Sequence, residues 1–187
     1  MKIYAPSTVL DVPFLARHEA QVLRDLQGCE FVPKLISGGV NFIEMSHCAS
    51  PVDDTTPTSA FKNILQALLY AHSHGYYHRD CRMKNMTSIG GVGCSLGTVL
   101  FPSSLLHCLH RHSSNALADW GFAINRADTT RGFEGTLHFA SDALLQDRAK
   151  PFTGADDLES FVESHWYVSN KKTLRLDEKL QLHGAFD

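Results

Sequence analysis

The stretch His78-Arg79-Asp80, followed by Asn85 five residues after the aspartate, constrains the fold of this chain more than any other feature. Phosphoryl transfer needs a carboxylate to orient the attacking hydroxyl and, a few residues later, an amide oxygen to hold a metal ion beside the phosphates. Asp80 fits the first role and Asn85 the second. The three-residue motif alone occurs by chance in many chains, so its meaning depends on the elements around it.

The composition indicates one globular domain. The chain has 187 residues, with 43% hydrophobic and 20% charged residues, which is ordinary for a globular protein. The net charge of −3 gives no sign of the basic surface that nucleic-acid binding requires. No apolar run reaches the ~20 residues of a membrane span. The five cysteines form no C-x-x-C, so a cytoplasmic or nuclear, reducing compartment is expected, rather than a disulfide framework.

The N-terminal part predicts a short strand followed by a helix. Asp11 can cap the helix, and Gly28 ends it. Glu19 falls on the apolar stripe of this helix, where an unpaired carboxylate is costly to bury. Lys2 on the preceding strand can be its partner. The alternative is that Glu19 lies at the rim of the helix and Lys2 is a frayed terminal residue.

Two more strands and a long helix are predicted before the Asp80 loop. The strands, 32–36 and 40–45, are joined by a Ser-Gly-Gly hairpin turn. Thr58 or Ser59 then caps the helix, and Gly75 stops it. One apolar face of this helix is formed by Phe61, Ile64, Leu65, Leu68, Leu69 and His72.

The 33 residues from Met86 to Ala118 are the largest anomaly, because structureless connections beyond about 15 residues are uncommon in compact domains. They contain a G-G-V-G stretch without the Lys-Ser/Thr of a phosphate-binding loop. They also contain a His/Cys cluster around Cys108 that fits no standard metal site. We expect either a loop extension of unknown role or a sequence foreign to the ancestral domain.

Asp119-Trp120-Gly121 follows this insert. An acidic residue before an aromatic residue and a glycine suits a metal ligand on a tight turn, with the ring packed inward and the glycine permitting the bend. The alternative is an ordinary aspartate between a strand and a turn. A further helix is predicted to begin near Asp156, with Thr153 or Asp156 as its cap.

The chain resembles the eukaryotic protein kinases through motifs that occur in the family's order: Lys2, Glu19, His78-Arg79-Asp80, Asn85, Asp119-Trp120-Gly121, Gly135-Thr136 and Asp157. The G-T-x-x-F-A-S and D-D-L-E-S stretches are most similar to casein-kinase-one-like and fungal-type kinases. The resemblance covers about residues 1–168 and implies an α+β, protein-kinase-like fold. A partial N-lobe, with the third strand, C helix and hairpin, would span 1–50. A partial, mainly helical C-lobe would span 51–168, with an insert at about 88–114, before a C-terminal tail at 169–187.

The resemblance also implies a role for each site residue. Asp80 would be the catalytic base or the group that positions the hydroxyl. Arg82 or Lys84 would be the cation near the transferred phosphoryl group. Lys2 and Glu19 would form the ion pair that steadies the phosphates of ATP.

Further roles implied by the resemblance concern the metal and the loop backbone. Asn85 and Asp119 would hold Mg²⁺. His78 and Trp120 would stack in the hydrophobic column that links the lobes. Asp157 would accept hydrogen bonds from the backbone of the catalytic loop.

The departures from the family pattern leave more than one function open. No Gly-rich phosphate loop precedes Lys2, Trp120 replaces Phe in D-F-G, Ala140-Ser141-Asp142 replaces A-P-E, and the last helices of the large lobe are absent, as in a kinase trimmed at both ends. The first hypothesis is ATP- and Mg²⁺-dependent phosphoryl transfer to Ser/Thr hydroxyls of protein substrates. The alternative is a catalytically impaired pseudokinase fragment that acts as an interaction module, with a protein partner covering the truncated lobe. A small-molecule phosphotransferase shares the H-x-D loop, but the G-T-x-x-F-A-S segment favours the protein-kinase side.

Overall fold

The computed structural model of the chain describes residues 1–4, 12–46, 50–88, 115–128 and 135–170. Three sequence predictions lie outside these ranges: the cap at Asp11, the folded state of the insert around Cys108, and the tail after Asn170. Among the helices of the described ranges, none combines the length and the apolar character needed to cross a bilayer.

The described part of the chain is a mixed α and β protein with four α-helices and three small antiparallel sheets. The helices are α1 (Val12–Asp25), α2 (Thr58–Ser73), α3 (Asp142–Gln146) and α4 (Gly154–Asn170). The strands are β1 (Lys2–Ile3), β2 (Leu35–Gly38), β3 (Phe42–Met45), β4 (Ser50–Pro51), β5 (Tyr76–Tyr77), β6 (Met86–Ser88), β7 (Asn115–Leu117) and β8 (Ile124–Asn125). The sheet orders are β1-β3-β2, β4-β6-β7 and β5-β8.

The first sheet brings Lys2 to the side of the sheet that faces α1. In this sheet Lys2 is the register partner of Ile43, and partners directly opposite each other project from the same face. Ile43 is fully buried and belongs to the same core cluster as Ala20 and Leu23 of α1. Lys2 therefore projects toward the helix that carries Glu19.

The hairpin between β2 and β3 forms, but its turn lies later in the chain than predicted. Strand β2 continues through Gly38, which pairs with Ile43, and the chain turns between Gly39 and Phe42. The Gly39 backbone N–H donates to the Phe42 carbonyl at 2.9 Å. The predicted turn at residues 37–39 was wrong because two of these residues still belong to the strand.

Helix α2 packs one face into the main core, largely as its apolar spacing predicted. Its buried residues are Ala60, Phe61, Ile64, Ala67, Leu68 and Ala71. Of the predicted face, Leu65 and His72 are only partly buried, and Leu69 is 49% exposed on the outer side of the helix. Strands β6 and β7 add Met86 and Leu117 to the same core.

The two ends of α2 differ in how well the sequence predicted them. The helix begins at Thr58 itself, and Pro57, with extended φ and ψ, takes the position before it without a side-chain cap. The predicted cap by Thr58 or Ser59 was therefore wrong. Gly75 does end the helix region: its φ of +81° lies in the left-handed region that favours glycine. Strand β5 follows immediately and leads to His78.

Helix α4 starts at Gly154, before the predicted start at Asp156. The Asp156 carboxylate accepts hydrogen bonds from the Thr153 backbone N–H at 2.8 Å and from the Thr153 hydroxyl at 2.7 Å. A side chain in the first turn that bonds back to the residue before the helix satisfies a backbone donor the helix leaves unpaired. These hydrogen bonds fix the first turn of α4, in which the next residue, Asp157, faces the Asp80 loop.

Candidate active site

The backbone of the His78-Arg79-Asp80 loop is held by the buried carboxylate of Asp157. This carboxylate accepts from the backbone N–H groups of His78 and Arg79 at 2.7 and 2.8 Å, and its Oδ2 lies 2.9 Å from His72 Nε2. Arg79 has a φ of +71°, an uncommon conformation for a residue with a Cβ. Hydrogen bonds to an ionised acceptor are about twice as strong as neutral ones, so this anchor can hold a loop with an unfavourable backbone angle.

Asp80 is buried and contacted on both carboxylate oxygens. Its Oδ1 accepts from the Thr136 hydroxyl at 2.8 Å and from the Thr136 backbone N–H at 3.2 Å. Its Oδ2 accepts from Asn85 Nδ2 at 2.9 Å and forms an ion pair with Arg82, whose Nε is 3.1 Å away. The carboxylate is thus fixed in one orientation, with a hydroxyl already bonded to one oxygen.

Asn85 connects the Asp80 loop to the strand that leads to Asp119. Its Nδ2 donates to the Asp80 backbone carbonyl and to Oδ2 of Asp80, both at 2.9 Å. Its own backbone carbonyl accepts from the Ala118 N–H at 2.8 Å, while the Ala118 carbonyl lies 3.0 Å from His78 Nε2. Because Nδ2 is committed to Asp80, the amide oxygen Oδ1 is the atom of Asn85 left to bind a metal ion.

Lys2, Glu19 and Asp119 form a second charged cluster. Lys2 Nζ lies 2.6 Å from Glu19 Oε2 and 2.7 Å from Asp119 Oδ1. The Tyr4 hydroxyl also donates to Glu19 Oε2, and the Trp120 backbone N–H donates to Glu19 Oε1 at 3.1 Å. Glu19 is fully buried, so the alternative that placed it at the rim of α1 was wrong, and Lys2 has two carboxylate partners.

The charges in this cluster shift the pKa values of its members. Burial alone would lower the pKa of Lys2, but the carboxylates of Glu19 and Asp119 hold it above its ordinary 10.5. Burial would likewise raise the pKa of Asp119, but Lys2, with smaller effects of His78 and Arg82, holds it below the ordinary 3.8. Lys2 is therefore a cation and Asp119 an anion near neutral pH.

The turn at Asp119-Trp120-Gly121 has a backbone shape that its residues explain. Asp119 has a φ of +61°, and Trp120 is fully buried, with its ring centroid 4.5 Å from that of His78 in an edge-to-face contact. A Cβ on Gly121 would lie 3.3 Å from Glu19 Oε2, closer than most real Cβ contacts. The inward aromatic ring matches the sequence expectation. The glycine was expected to permit the bend, but the left-handed φ of this turn lies at Asp119 and not at Gly121, so the nearby Glu19 carboxylate, rather than the bend, favours glycine here.

The seven predicted site residues divide into three groups. Lys2, Glu19 and Asp119 meet in one cluster, and Asp80, Arg82 and Asn85 meet in the other. The two clusters are joined through the Asn85–Ala118 backbone hydrogen bond and through the charge of Arg82, which acts on both aspartates. Lys84 belongs to neither cluster: within the described ranges it forms no hydrogen bond or ion pair with these carboxylates, and it is exposed.

Two contacts of the site were not predicted from the sequence. The first is the Tyr4 hydroxyl on Glu19, although Tyr4 lies two residues after Lys2, and alternate residues of an extended segment share a face. The second is Thr136 on Asp80. Burial and the Glu19 carboxylate raise the pKa of Tyr4, so its hydroxyl stays protonated as a donor. The two-residue spacing of Lys2 and Tyr4 was the signal that could have identified the first contact.

The site contains groups of the kinds that can bind a phosphate and a hard metal ion. The Asn85 amide oxygen and the Asp119 carboxylate are oxygen ligands of the kind Mg²⁺ prefers, and Lys2 is a compact cation suited to phosphate. No model of a known protein family matches the chain, and no curated protein matches it. The geometry of these residues is therefore the basis for any functional conclusion.

Proposed function

We propose that the chain has a protein-kinase-like fold and transfers the γ-phosphoryl group of ATP to a Ser or Thr hydroxyl of a protein substrate. The observation that carries this proposal is the convergence of two clusters far apart in the sequence, Lys2–Glu19–Asp119 and Asp80–Asn85, which are joined through Ala118. The contact of Asp157 with the loop backbone supports the same reading. In this proposal the first sheet and α1 form the partial N-lobe, and α2 to α4 form the partial C-lobe.

The residues present fit magnesium ATP. Asn85 offers an amide oxygen, and Asp119 offers a carboxylate whose lowered pKa keeps it ionised. Lys2, held at 2.6 Å from Glu19 Oε2, would place its ammonium against the phosphates. When bound, magnesium ATP supplies the phosphoryl group and the metal charge that offsets its negative oxygens.

Asp80 would orient the substrate hydroxyl and take its proton. The Thr136 hydroxyl lies 2.8 Å from Asp80 Oδ1, which is the distance at which a hydroxyl donates to a carboxylate. A substrate hydroxyl at this oxygen would form its new bond to phosphorus as the bond to the ADP oxygen breaks, and its proton would pass to Asp80. Arg82, paired with Asp80 at 3.1 Å, would add positive charge close to the transferred group.

The test is phosphate transfer by the purified chain to a generic protein substrate in the presence of Mg²⁺ and ATP. Replacing Asp80→Asn should lower the rate by roughly 10²- to 10⁴-fold, the range for loss of a general base. Asp147→Asn, on an exposed aspartate, removes the same charge at a distance and should leave the rate unchanged. Equal transfer by the wild type and the Asp80→Asn variant would refute the proposal.

Two observations favour the alternative of an impaired kinase that serves as an interaction module. In an active kinase of this kind Lys2 would bind phosphate and Asp119 would bind the metal ion. Here Lys2 Nζ contacts Asp119 Oδ1 at 2.7 Å, so these two groups are paired with each other. The outer faces of α2 and α4 also expose Leu69, Val162 and Trp166, apolar side chains that a protein partner can cover. A folded chain that neither binds magnesium ATP nor transfers phosphate would support this alternative.

A further inference from the structure

Helices α2 and α4 lie side by side and run in opposite directions. The Phe61 ring, near the start of α2, contacts the His165 ring in the second half of α4, with centroids 4.3 Å apart. Near the other ends of the two helices, His72 Nε2 lies 2.9 Å from Asp157 Oδ2. Contacts near both ends fix which face of each helix points toward the other.

Leu69 and Val162 lie on the same side of this antiparallel pair. Each comes one position after a buried residue of the facing surfaces, Leu68 on α2 and Phe161 on α4, which is a rotation of about 100° around the helix axis. Because the two helices run in opposite directions, both rotations lead to the same side. Leu69 is 49% exposed there, and Val162 is 61% exposed.

Three further apolar residues extend this side of the pair. Trp166, which is 49% exposed, lies one turn after Val162, and half-buried leucines lie one turn before Leu69 and Val162. We call the five residues together the outer apolar surface: Leu65, Leu69, Leu158, Val162 and Trp166. Neighbouring exposed apolar residues of this kind mark a surface for binding, either of another segment or of another protein.

The part of the chain best placed to cover this surface is the part that follows α4. The helix ends at Asn170, one turn after Trp166, and the sequence continues with residues 171–187. Even at the short rise of about 1.5 Å per residue, these residues are long enough to pass back over the two turns that separate Asn170 from Val162. They contain four leucines: Leu174, Leu176, Leu180 and Leu182. A segment tethered this close has an effective concentration on the order of millimolar, which favours it over a second copy or a free partner.

We propose that residues 171–187 bind the outer apolar surface and shield it from solvent, with their leucines against Leu69, Val162 and Trp166. Burial of each leucine favours the bound state by roughly tenfold or more, so a few such contacts are enough to keep the segment in place. The proposal does not depend on phosphoryl transfer. Another protein would reach this surface only by displacing the segment.

Limited trypsin digestion of the full chain is the first test. The proposed segment offers the cleavage sites Lys171, Lys172, Arg175 and Lys179. Val162→Asp should speed cleavage at these sites by roughly tenfold, because cleavage follows the fraction of unbound segment and the new charge would face its leucines. Val40→Asp changes a valine that is 70% exposed between β2 and β3, away from this surface, and should leave the rate unchanged. Equal rates in the wild type and both variants would overturn the proposal.

Acrylamide quenching of tryptophan fluorescence is the second test, and it needs no change in either helix. The chain has two tryptophans, of which Trp120 is fully buried, so quenching reports mainly on Trp166. Leu180→Asp should raise the quenching constant of the full chain because it weakens the bound segment, whereas Gln181→Asp adds the same charge next to it and should not. An equal constant in the wild type and both variants would overturn the proposal. Quenching that decreases as the protein concentration rises would assign the surface to a second copy and would also overturn it.

Discussion

Removal of the Asp157 carboxylate should destabilise the fold by an amount that its hydrogen bonds set. Asp157 is fully buried and accepts from the backbone N–H groups of His78 and Arg79 at 2.7 and 2.8 Å. A buried donor left without its acceptor costs about 1–3 kcal/mol. Asp157→Asn keeps one acceptor oxygen and should lower the unfolding free energy by about 2 kcal/mol. Asp157→Ala leaves both backbone N–H donors without an acceptor and should lower it by about 4 kcal/mol.

These costs are a large part of a typical unfolding free energy of about 5–15 kcal/mol. For a chain of this size, about 2–4 °C of melting temperature is lost per kcal/mol. Equilibrium urea unfolding followed by circular dichroism gives the free energy directly. Asp25→Asn is the control, because Asp25 is exposed and accepts from the Tyr76 hydroxyl at 2.6 Å, so its loss should cost less than about 1 kcal/mol. If Asp157→Ala costs no more than Asp25→Asn, then Asp157 does not anchor the loop.

Three further predictions concern the core, a turn and an ion pair. Trp120→Ala empties a fully buried site and should lower the urea unfolding free energy by about 3–5 kcal/mol; a loss under about 1 kcal/mol would contradict its burial. Gly75→Ala should cost about 1–2 kcal/mol by the same measurement, because its φ of +81° is strained for alanine while no atom lies within 4 Å of the added Cβ; no loss would contradict the left-handed angle. Asp119 has a folded-state pKa below its ordinary 3.8, so its stabilisation is complete above that value and disappears as the pH falls through the folded pKa. The difference in stability between wild type and Asp119→Asn should therefore shrink below about pH 4. A difference that grows there would contradict a lowered pKa of Asp119.

The sequence predicted those elements whose residues repeat with a clear period. Helices α1 and α2 and the β2–β3 hairpin follow apolar spacing and turn residues, and each forms close to its predicted place. The Lys2–Glu19 pair was predictable because a carboxylate on an apolar stripe needs a partner, and the pair has a 2.6 Å contact.

The remaining features depend on long-range packing that no local pattern records. Strands β4 to β8 are two or three residues long, too short to show a period, so their pairing was not predictable. Leu69 falls on the apolar spacing of α2 but faces outward, because the packing partners of the helix decide which side is buried. Lys84 lies in the 3₁₀ turn Met83–Asn85 and is exposed, which spacing from Asp80 alone cannot reveal.

Thermal unfolding with magnesium ATP tests the central claim most directly. The claim is that Lys2, Asn85 and Asp119 together hold a nucleotide and its metal ion. A ligand that binds only the folded state stabilises it by RT ln(1 + [L]/Kd), about 2.7 kcal/mol at one hundred times Kd. The account predicts a melting temperature that rises with magnesium ATP, rises less with ATP alone, and does not rise in Asp119→Asn. An unchanged melting temperature at millimolar magnesium ATP, or an equal rise in Asp119→Asn, would contradict it.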